Sequence, residues 1–107
     1  MKTTNFTILL KTLRANAQLS LRTLGELTGF SATYLKDLEQ GNREPSEKVA
    51  YALVDAFNLD KNNKRLLFDS IATSTNNLPY DVINFLKDNP EEIAKIISIM
   101  EQNTLKR

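Results

Sequence analysis

Residues 19–46 read LSLRTLGELTGFSATYLKDLEQGNREPS, and the local signals in this stretch decide the fold. Ser20 and Ser31 each stand where a side-chain oxygen caps the first turn of a helix. Each of the two helices that follow is closed by a glycine, Gly29 or Gly41, the residue that most readily adopts the left-handed backbone of a helix end. The connection between them is only three residues long. A connection of this length with a glycine joins two helices at a steep angle, so the stretch predicts two short helices packed across a tight turn.

The sequence on both sides of this stretch is also helical in pattern. Apolar residues recur at i, i+3, i+4 and i+7, and no segment alternates with the period of a strand. Further helices are predicted over 5–17, after Ser46, after Asp60, after Pro79, and from Pro90 to about Gln102. The inward-facing residues expected in the first five helices are Phe6, Leu9, Leu10, Leu13, Ala17, Leu21, Leu24, Leu27, Leu35, Leu38, Val49, Leu53, Ala56, Phe57, Leu66, Leu67 and Ile71. The predicted fold class is all-α.

The composition excludes most catalytic chemistry. The chain has 107 residues and a net charge of +1, and it contains no cysteine and no histidine. It therefore lacks thiolate metal ligands, disulfides, and the residue that most often serves as a metal ligand or general base. We expect no enzyme activity, no metal and no cofactor. The apolar runs are too short for a signal peptide or a membrane span, which favours a cytoplasmic protein.

The chain divides into two parts by residue composition and by charge. Segment 73–77 is polar, uncharged and made of weak helix formers, which favours a linker. The predicted organisation is a five-helix domain over 1–72, a linker over 73–78 and a C-terminal helical pair over 79–107. Residues 1–50 carry seven Lys and Arg against five Asp and Glu, whereas residues 51–107 carry seven against eight. The N-terminal half is therefore the expected anion-facing side.

The end of the quoted stretch carries a resemblance to a known family. Leu38-Glu39-Gln40-Gly41-Asn42-Arg43-Glu44-Pro45-Ser46 resembles the Leu/Ile-Glu-x-Gly-x-x-x-Pro-Ser string of the phage-repressor and Cro-like helix-turn-helix family, often called XRE. The resemblance covers about residues 5–72, and segments 78–82 and 86–90 resemble a tail found on some small members. It implies a lambda-repressor-like five-helix DNA-binding domain with two additional C-terminal helices.

Three positions carry structural roles in that resemblance. Arg14 and Glu39 match the pair with which members tie the first helix to the end of the third, because a guanidinium fork suits a carboxylate. Gly25 stands where the family usually has alanine, and the resemblance implies that either residue fits this close approach of two helices.

The resemblance also implies which residues contact DNA, because the third helix of this family lies in the major groove. Bases are then read by Ala32, Thr33, Lys36 and Asp37, and phosphates are contacted by Leu21, Arg22, Thr23, Tyr34, Gln40, Asn42 and Arg43. Leu21 stands where many phage repressors have glutamine, so the bidentate contact to adenine from that position is lost. Simpler interpretations stay open: Lys36 and Asp37 also fit a solvated helix face, and Tyr34 fits a ring that covers the edge of the core.

The last predicted helix carries an apolar stripe. Ile93, Ile96, Ile97 and Met100 recur at i, i+3, i+4 and i+7. Core packing explains part of this stripe, but a five-helix domain already closes its own core, which favours a dimer interface. The acidic residues of the tail are explained better by helix capping and solubility than by a metal site; they are Asp81, Asp88, Glu91 and Glu92.

The predicted function is a sequence-specific regulator of transcription that binds double-stranded DNA. We expect a repressor that acts as a homodimer on a palindromic operator. Two alternatives stay open: an antitoxin-type regulator that also binds a toxin protein, and an interaction module that kept the fold without DNA binding. The salt dependence of binding to random duplex separates the last alternative from the others.

Overall fold

The computed structural model describes residues 2–104, and over that range the chain forms seven helices and no strands. The helices are α1 (Asn5–Asn16), α2 (Leu21–Thr28), α3 (Ala32–Gln40), α4 (Glu47–Phe57), α5 (Lys61–Thr75), α6 (Tyr80–Asp88) and α7 (Pro90–Thr104). The all-α class predicted from the sequence is confirmed for these residues.

Side-chain caps start α2 to α5 at the predicted residues. The hydroxyl groups of Ser20 and Ser31 each accept the backbone N–H three residues later at 3.0 Å. Ser46 and Asp60 cap α4 and α5 in the same way. Each cap satisfies a backbone donor that has no partner within its own helix, which contributes about 1 kcal/mol. These four helix starts are therefore fixed by local chemistry.

One hydrophobic core lies among α1 to α5. Its buried side chains are Phe6, Leu10, Leu24, Leu35, Leu38, Val49, Ala50, Leu53, Leu67, Phe68 and Ile71. Burying one large side chain of this kind contributes about 1.5–3 kcal/mol. Neither α6 nor residues 90–103 of α7 contribute a buried side chain. The hydrophobic stabilisation is thus concentrated in α1 to α5, which we call the body.

Three residues predicted to face inward are exposed. Leu27 is 55% exposed because the inward face of α2 runs through Leu24, Gly25 and Thr28, the last of which is half-buried. Leu66 is 56% exposed because α5 turns Leu67, Phe68 and Ile71 towards the core. Ala17 is also exposed, since it lies beyond the end of α1. The period of each helix was predicted correctly, and the direction of its inward face was off by one residue at Leu27 and Leu66.

The predicted linker begins too early, because α5 continues to Thr75. The weak helix formers at its end are held by their hydroxyl groups. Ser74 donates to the carbonyl of Ser70 at 2.7 Å, and Thr75 donates to the carbonyl of Ile71 at 2.8 Å. The same Ser74 oxygen accepts the backbone N–H of Phe6, which ties the end of α5 to the start of α1. The connection between α5 and α6 is therefore 76–79.

Polar contacts hold α6 against the body. Arg65 on α5 donates to Asp81 through both terminal nitrogens, at 2.7 and 2.9 Å. Asn84 donates to the Glu47 carboxylate at 2.7 Å and to the Tyr51 hydroxyl at 2.8 Å. These contacts lie at the surface, where one such pair contributes about 1 kcal/mol or less. Tyr80 at the start of α6 also packs against the core and is partly buried, so apolar contact contributes to the docking of α6 as well.

Helix α7 follows α6 after the single residue Asn89, whose side chain donates to the carbonyl of Phe85. All side chains of residues 93–103 are exposed. The molecule is elongated, with dimensions of 52 × 27 × 21 Å. The C-terminal pair α6 and α7 thus presents exposed apolar side chains, among them Phe85, Ile96 and Ile97.

Candidate nucleic-acid interface

Helix α3 shows one face to the core and the opposite face to solvent. Leu35 and Leu38 are fully buried against the body. Ala32, Thr33 and Lys36 are exposed, and Asp37 is half-buried. The four residues predicted to read bases therefore lie together on the outward side of α3.

The turn before α3 is tighter than the resemblance implied. A Cβ placed on Gly25 would lie 2.6 Å from the carbonyl oxygen of Phe30, which belongs to the turn itself. This distance is shorter than real Cβ atoms allow, so alanine does not fit at this position without movement of the turn. Glycine therefore fits this close approach, as the resemblance implied, whereas the alanine that is usual in the family would require the turn to move. The missing side chain lets α2 approach the start of α3 and fixes the direction in which α3 projects.

Arg14 and Glu39 meet beneath α3. Arg14 donates through Nε and Nη2 to the two carboxylate oxygens of Glu39, and through Nη1 to the carbonyl of Leu19 at 2.9 Å. The Glu39 side chain is 8% exposed and that of Arg14 is 27% exposed. The hydrogen bonds that Arg14 donates to Glu39 raise the pKa of the Arg14 guanidinium above its ordinary value. This contact joins α1, the α1–α2 connection and α3.

The first turn of α2 lies at the surface beside this turn. Arg22 and Thr23 are exposed, whereas Leu21 is half-buried and packs against the core. The Thr23 hydroxyl accepts a hydrogen bond from Ser20 at 3.0 Å. Arg22 lies 3.6 Å from the Glu26 carboxylate, with 89% of its side chain exposed. Of these residues, Leu21 has no polar side-chain group, so its only hydrogen-bond donor is its backbone N–H.

Beside α3, two aromatic rings form a row with a cation at each end. The Arg43 guanidinium lies 5.5 Å from the centre of the Tyr34 ring, and that ring lies 5.2 Å from the Phe30 ring. Lys48 stands over the other end of the row, 6.0 Å from the centre of Phe30. A cation over an aromatic face is stabilised by about 0.5–1 kcal/mol at an exposed site. The row stabilises the position of Arg43. The contribution of Phe30 and Lys48 was not predicted from the sequence, although Phe30 and Tyr34 have i, i+4 spacing.

A carboxylate also faces Arg43. Asp37 lies 3.9 Å from the Arg43 Nε. Nearby, the Asn42 amide donates to the Gln40 side chain at 3.4 Å. The structure therefore brings Gln40, Asn42 and Arg43 together at the end of α3. It directs Asp37 towards Arg43, an orientation that the sequence analysis did not consider.

The N-terminal residues pass close to the same loop. The backbone N–H of Lys2 donates to the carbonyl of Gln40 at 3.1 Å. A Cβ on Gly41 would overlap the Lys2 backbone, so this approach requires glycine. Lys2 lines a small cleft together with Arg43 and Glu44. Lys2 therefore adds a cation beside the predicted phosphate contacts, one that no spacing in the sequence indicated.

The predicted interface on α7 is exposed along its whole length. Ile93 is 38% exposed, Ile96 42%, Ile97 48% and Met100 60%. Phe85 on α6 is also exposed. The stripe thus lies on the C-terminal pair, apart from the residues of α2 and α3 described above.

A family model for the helix-turn-helix domain matches residues 6–67. This match covers more than half of the chain, and the chain therefore belongs to the helix-turn-helix domain family. Comparison with curated proteins and with solved structures gave no match. The domain indicates a DNA-binding regulator, and DNA-binding domains of this family are typically non-enzymatic.

Within residues 2–104, no helix is long and apolar enough to span a membrane. No group of three or more His, Cys, Asp or Glu residues is arranged to hold a metal ion within the same range.

Proposed function

We propose that this protein is a cytoplasmic repressor of the phage-repressor and Cro-like (XRE) type, with a lambda-repressor-like arrangement of α1 to α5. It binds a palindromic operator as a homodimer and needs no cofactor. Residues 1–72 form the DNA-binding domain, and residues 79–107 form the dimerisation element. The observation that carries this proposal is the outward face of α3, where Ala32, Thr33 and Lys36 are exposed beside a turn that Gly25 keeps tight.

The outward face of α3 has side chains suited to reading bases. The methyl groups of Ala32 and Thr33 suit the thymine methyl group, and Lys36 suits the acceptors of guanine. Asp37 suits the amino group of cytosine, although its approach to Arg43 gives it a second role in setting charge. We therefore assign base contacts to these four residues.

The residues around α3 are suited to phosphates. The backbone N–H of Leu21 lies at the start of a helix, where anions are favoured. The side chains of Arg22, Thr23 and Tyr34, and of Gln40, Asn42 and Arg43, complete this set. Contacts of this kind position the protein on the duplex and make its affinity depend on salt.

A dimer follows from the size of the reading surface. A single recognition helix buries little DNA surface, and symmetric regulators place two such helices about 34 Å apart, one turn of duplex. The side chains of Ile93, Ile96, Ile97 and Met100 are exposed on α7, outside the body. We therefore assign the dimer contact to α7.

The test is a comparison of two duplexes across salt concentrations. A site selected from a random library is measured by fluorescence anisotropy with the full chain, next to a shuffled duplex of the same composition. We expect affinity for the selected site to be higher by about 10³-fold or more, and affinity for both to fall steeply with salt. Equal affinity for the two duplexes contradicts the sequence specificity. Binding to neither contradicts DNA binding.

A further inference from the structure

A groove of about 270 Å³ lies between α1 and α5, apart from every residue assigned to DNA. Its accessible wall is mostly apolar. The residues that line it are Asn5, Leu9, Leu66, Asp69, Ser70 and Thr73. We call this feature the α1–α5 groove. It belongs to the body, whose helices are held rigidly by the core.

Two large apolar side chains line this groove from its two helices. Leu66 on α5 is 56% exposed, and Leu9 on α1 is half-buried. Single exposed apolar residues are ordinary, but an apolar wall shared by two packed helices marks an interaction surface. Leu9 and Leu66 form such a wall.

Helix α7 has the shape and chemistry that fit this groove. It is 15 residues long, and its exposed isoleucines Ile93, Ile96 and Ile97 follow the i, i+3, i+4 spacing with which an amphipathic helix enters an apolar groove. Each copy of the chain therefore carries both the groove and a helix, α7, that fits it, and both are exposed in the single copy.

The size of a stable interface argues against pairing of α7 with α7 alone. A specific protein interface buries about 800 Å² on each partner and uses about 20–30 residues on each side. A helix of 15 residues with one apolar face supplies far fewer. A dimer that also covers part of the body meets this requirement.

We propose that α7 of each copy lies in the α1–α5 groove of a second copy, with its isoleucines against Leu9 and Leu66. A two-fold axis then generates this contact twice, once for each copy, which doubles the buried apolar surface. The proposal rests on the homodimer of the proposed function and names a different surface for it. The body of one copy becomes the partner of the tail of the other.

Disulfide trapping tests the proposal cleanly, because the natural chain has no cysteine. Full-length Leu66→Cys and Ile97→Cys variants are mixed, allowed to exchange and oxidised, and the products are separated without reductant. We expect a mixed disulfide between the two variants as the main cross-linked dimer. Leu27→Cys is the matched control for Leu66→Cys, since Leu27 is 55% exposed and lies on α2. It should give no mixed product with Ile97→Cys.

Sedimentation equilibrium separates the remaining outcomes. We expect Leu66→Lys to shift the full chain to monomer and Leu27→Lys to leave it dimeric. A dimer that survives Leu66→Lys and traps Ile97→Cys only with itself overturns the groove contact and leaves the proposed dimer standing. A natural chain that is monomeric at tens of micromolar, with no disulfide product, overturns both the groove contact and the dimer.

Discussion

The body and the C-terminal pair are both made of amphipathic helices, yet they use their apolar faces differently. In the body, Leu35 and Leu38 of α3 are fully buried. In the C-terminal pair, Ile96 and Ile97 of α7 keep 42% and 48% of their surface in water. The same helical spacing therefore has two outcomes. A periodic pattern shows which apolar side chains are unfavourable in water and form one face of a helix. Whether that face is buried depends on the helices around it.

This difference separates stability from assembly. The core residues of α1 to α5 provide the hydrophobic stabilisation of the fold, and α6 is attached through surface contacts such as Arg65 with Asp81. Changes in the body should therefore alter the free energy of unfolding. Changes on α7 should alter the oligomeric state and the binding of palindromic DNA.

The largest effect is expected from breaking the α7 stripe. Replacement of Ile96 and Ile97 by Lys places two charges in the proposed interface and should produce a folded monomer. Affinity for a palindromic site should fall by about 10²–10⁴-fold, because the two half-sites no longer act together. Circular dichroism and sedimentation equilibrium check the fold and the oligomeric state. A variant that loses its cooperative melt would show that α7 stabilises the body, contrary to the exposure of its side chains.

The next largest effect concerns the ion pair beneath α3. Glu39→Ala leaves the partly buried Arg14 guanidinium without its carboxylate partner, and we expect a loss of about 3 kcal/mol in the free energy of unfolding, the low end of the range for buried pairs. Urea denaturation measures this loss. Glu26→Ala is the matched control, since Glu26 lies in an exposed pair with Arg22, and it should cost about 1 kcal/mol or less. Similar losses for the two variants would show that the pair between α1 and α3 is only a surface contact.

The sequence predicted the body better than the interface, for physical reasons that differ between residues. The caps at Ser20 and Ser31 depend on contacts three residues apart, so the sequence contains all the information that they need. Lys2 and Gly41 are far apart in the chain, so no local sequence pattern predicts their close approach. The end of α5 was missed because weak helix formers such as Ser74 are held there by their hydroxyl groups and by contact with α1.

The candidate interface shows the same division. The outward position of Thr33 and Lys36 follows from the period of α3, which the sequence contains. The approach of Asp37 to Arg43 depends on how the loop after α3 folds back. The sequence therefore predicted Arg43 as a phosphate contact but did not predict that the Asp37 carboxylate faces it.

Within the body, two kinds of DNA contact should separate by their response to substitution. Thr33→Ala and Lys36→Ala should each cost about 1–3 kcal/mol on the cognate site and relax the preference at one base pair. Arg43→Ala should weaken binding to all sequences alike and lower the slope of log K against log salt by about one unit. Anisotropy titrations on cognate and shuffled duplexes measure both effects. A uniform loss from all three variants would remove the assignment of Thr33 and Lys36 to bases.

The smallest effect is expected at Asp37, where the structure gives one side chain two possible roles. If its carboxylate chiefly offsets the charge of Arg43, Asp37→Asn releases that cation for phosphate. Exposed ion pairs of this kind contribute about 0.2–1 kcal/mol, so affinity for shuffled duplex should rise by up to about fivefold. Affinity for the specific site should rise by the same factor if Asp37 makes no base contact. If its carboxylate accepts from cytosine, the preference at one base pair should weaken instead, because asparagine does not accept in the same way.

Glu26→Gln is the matched control, since it releases Arg22 on α2 without touching α3. A gain for both variants on shuffled duplex, with loss of preference for Asp37→Asn alone, would assign Asp37 to both roles. A loss on shuffled duplex for Asp37→Asn would instead show that its carboxylate holds Arg43 in the position from which it reaches phosphate.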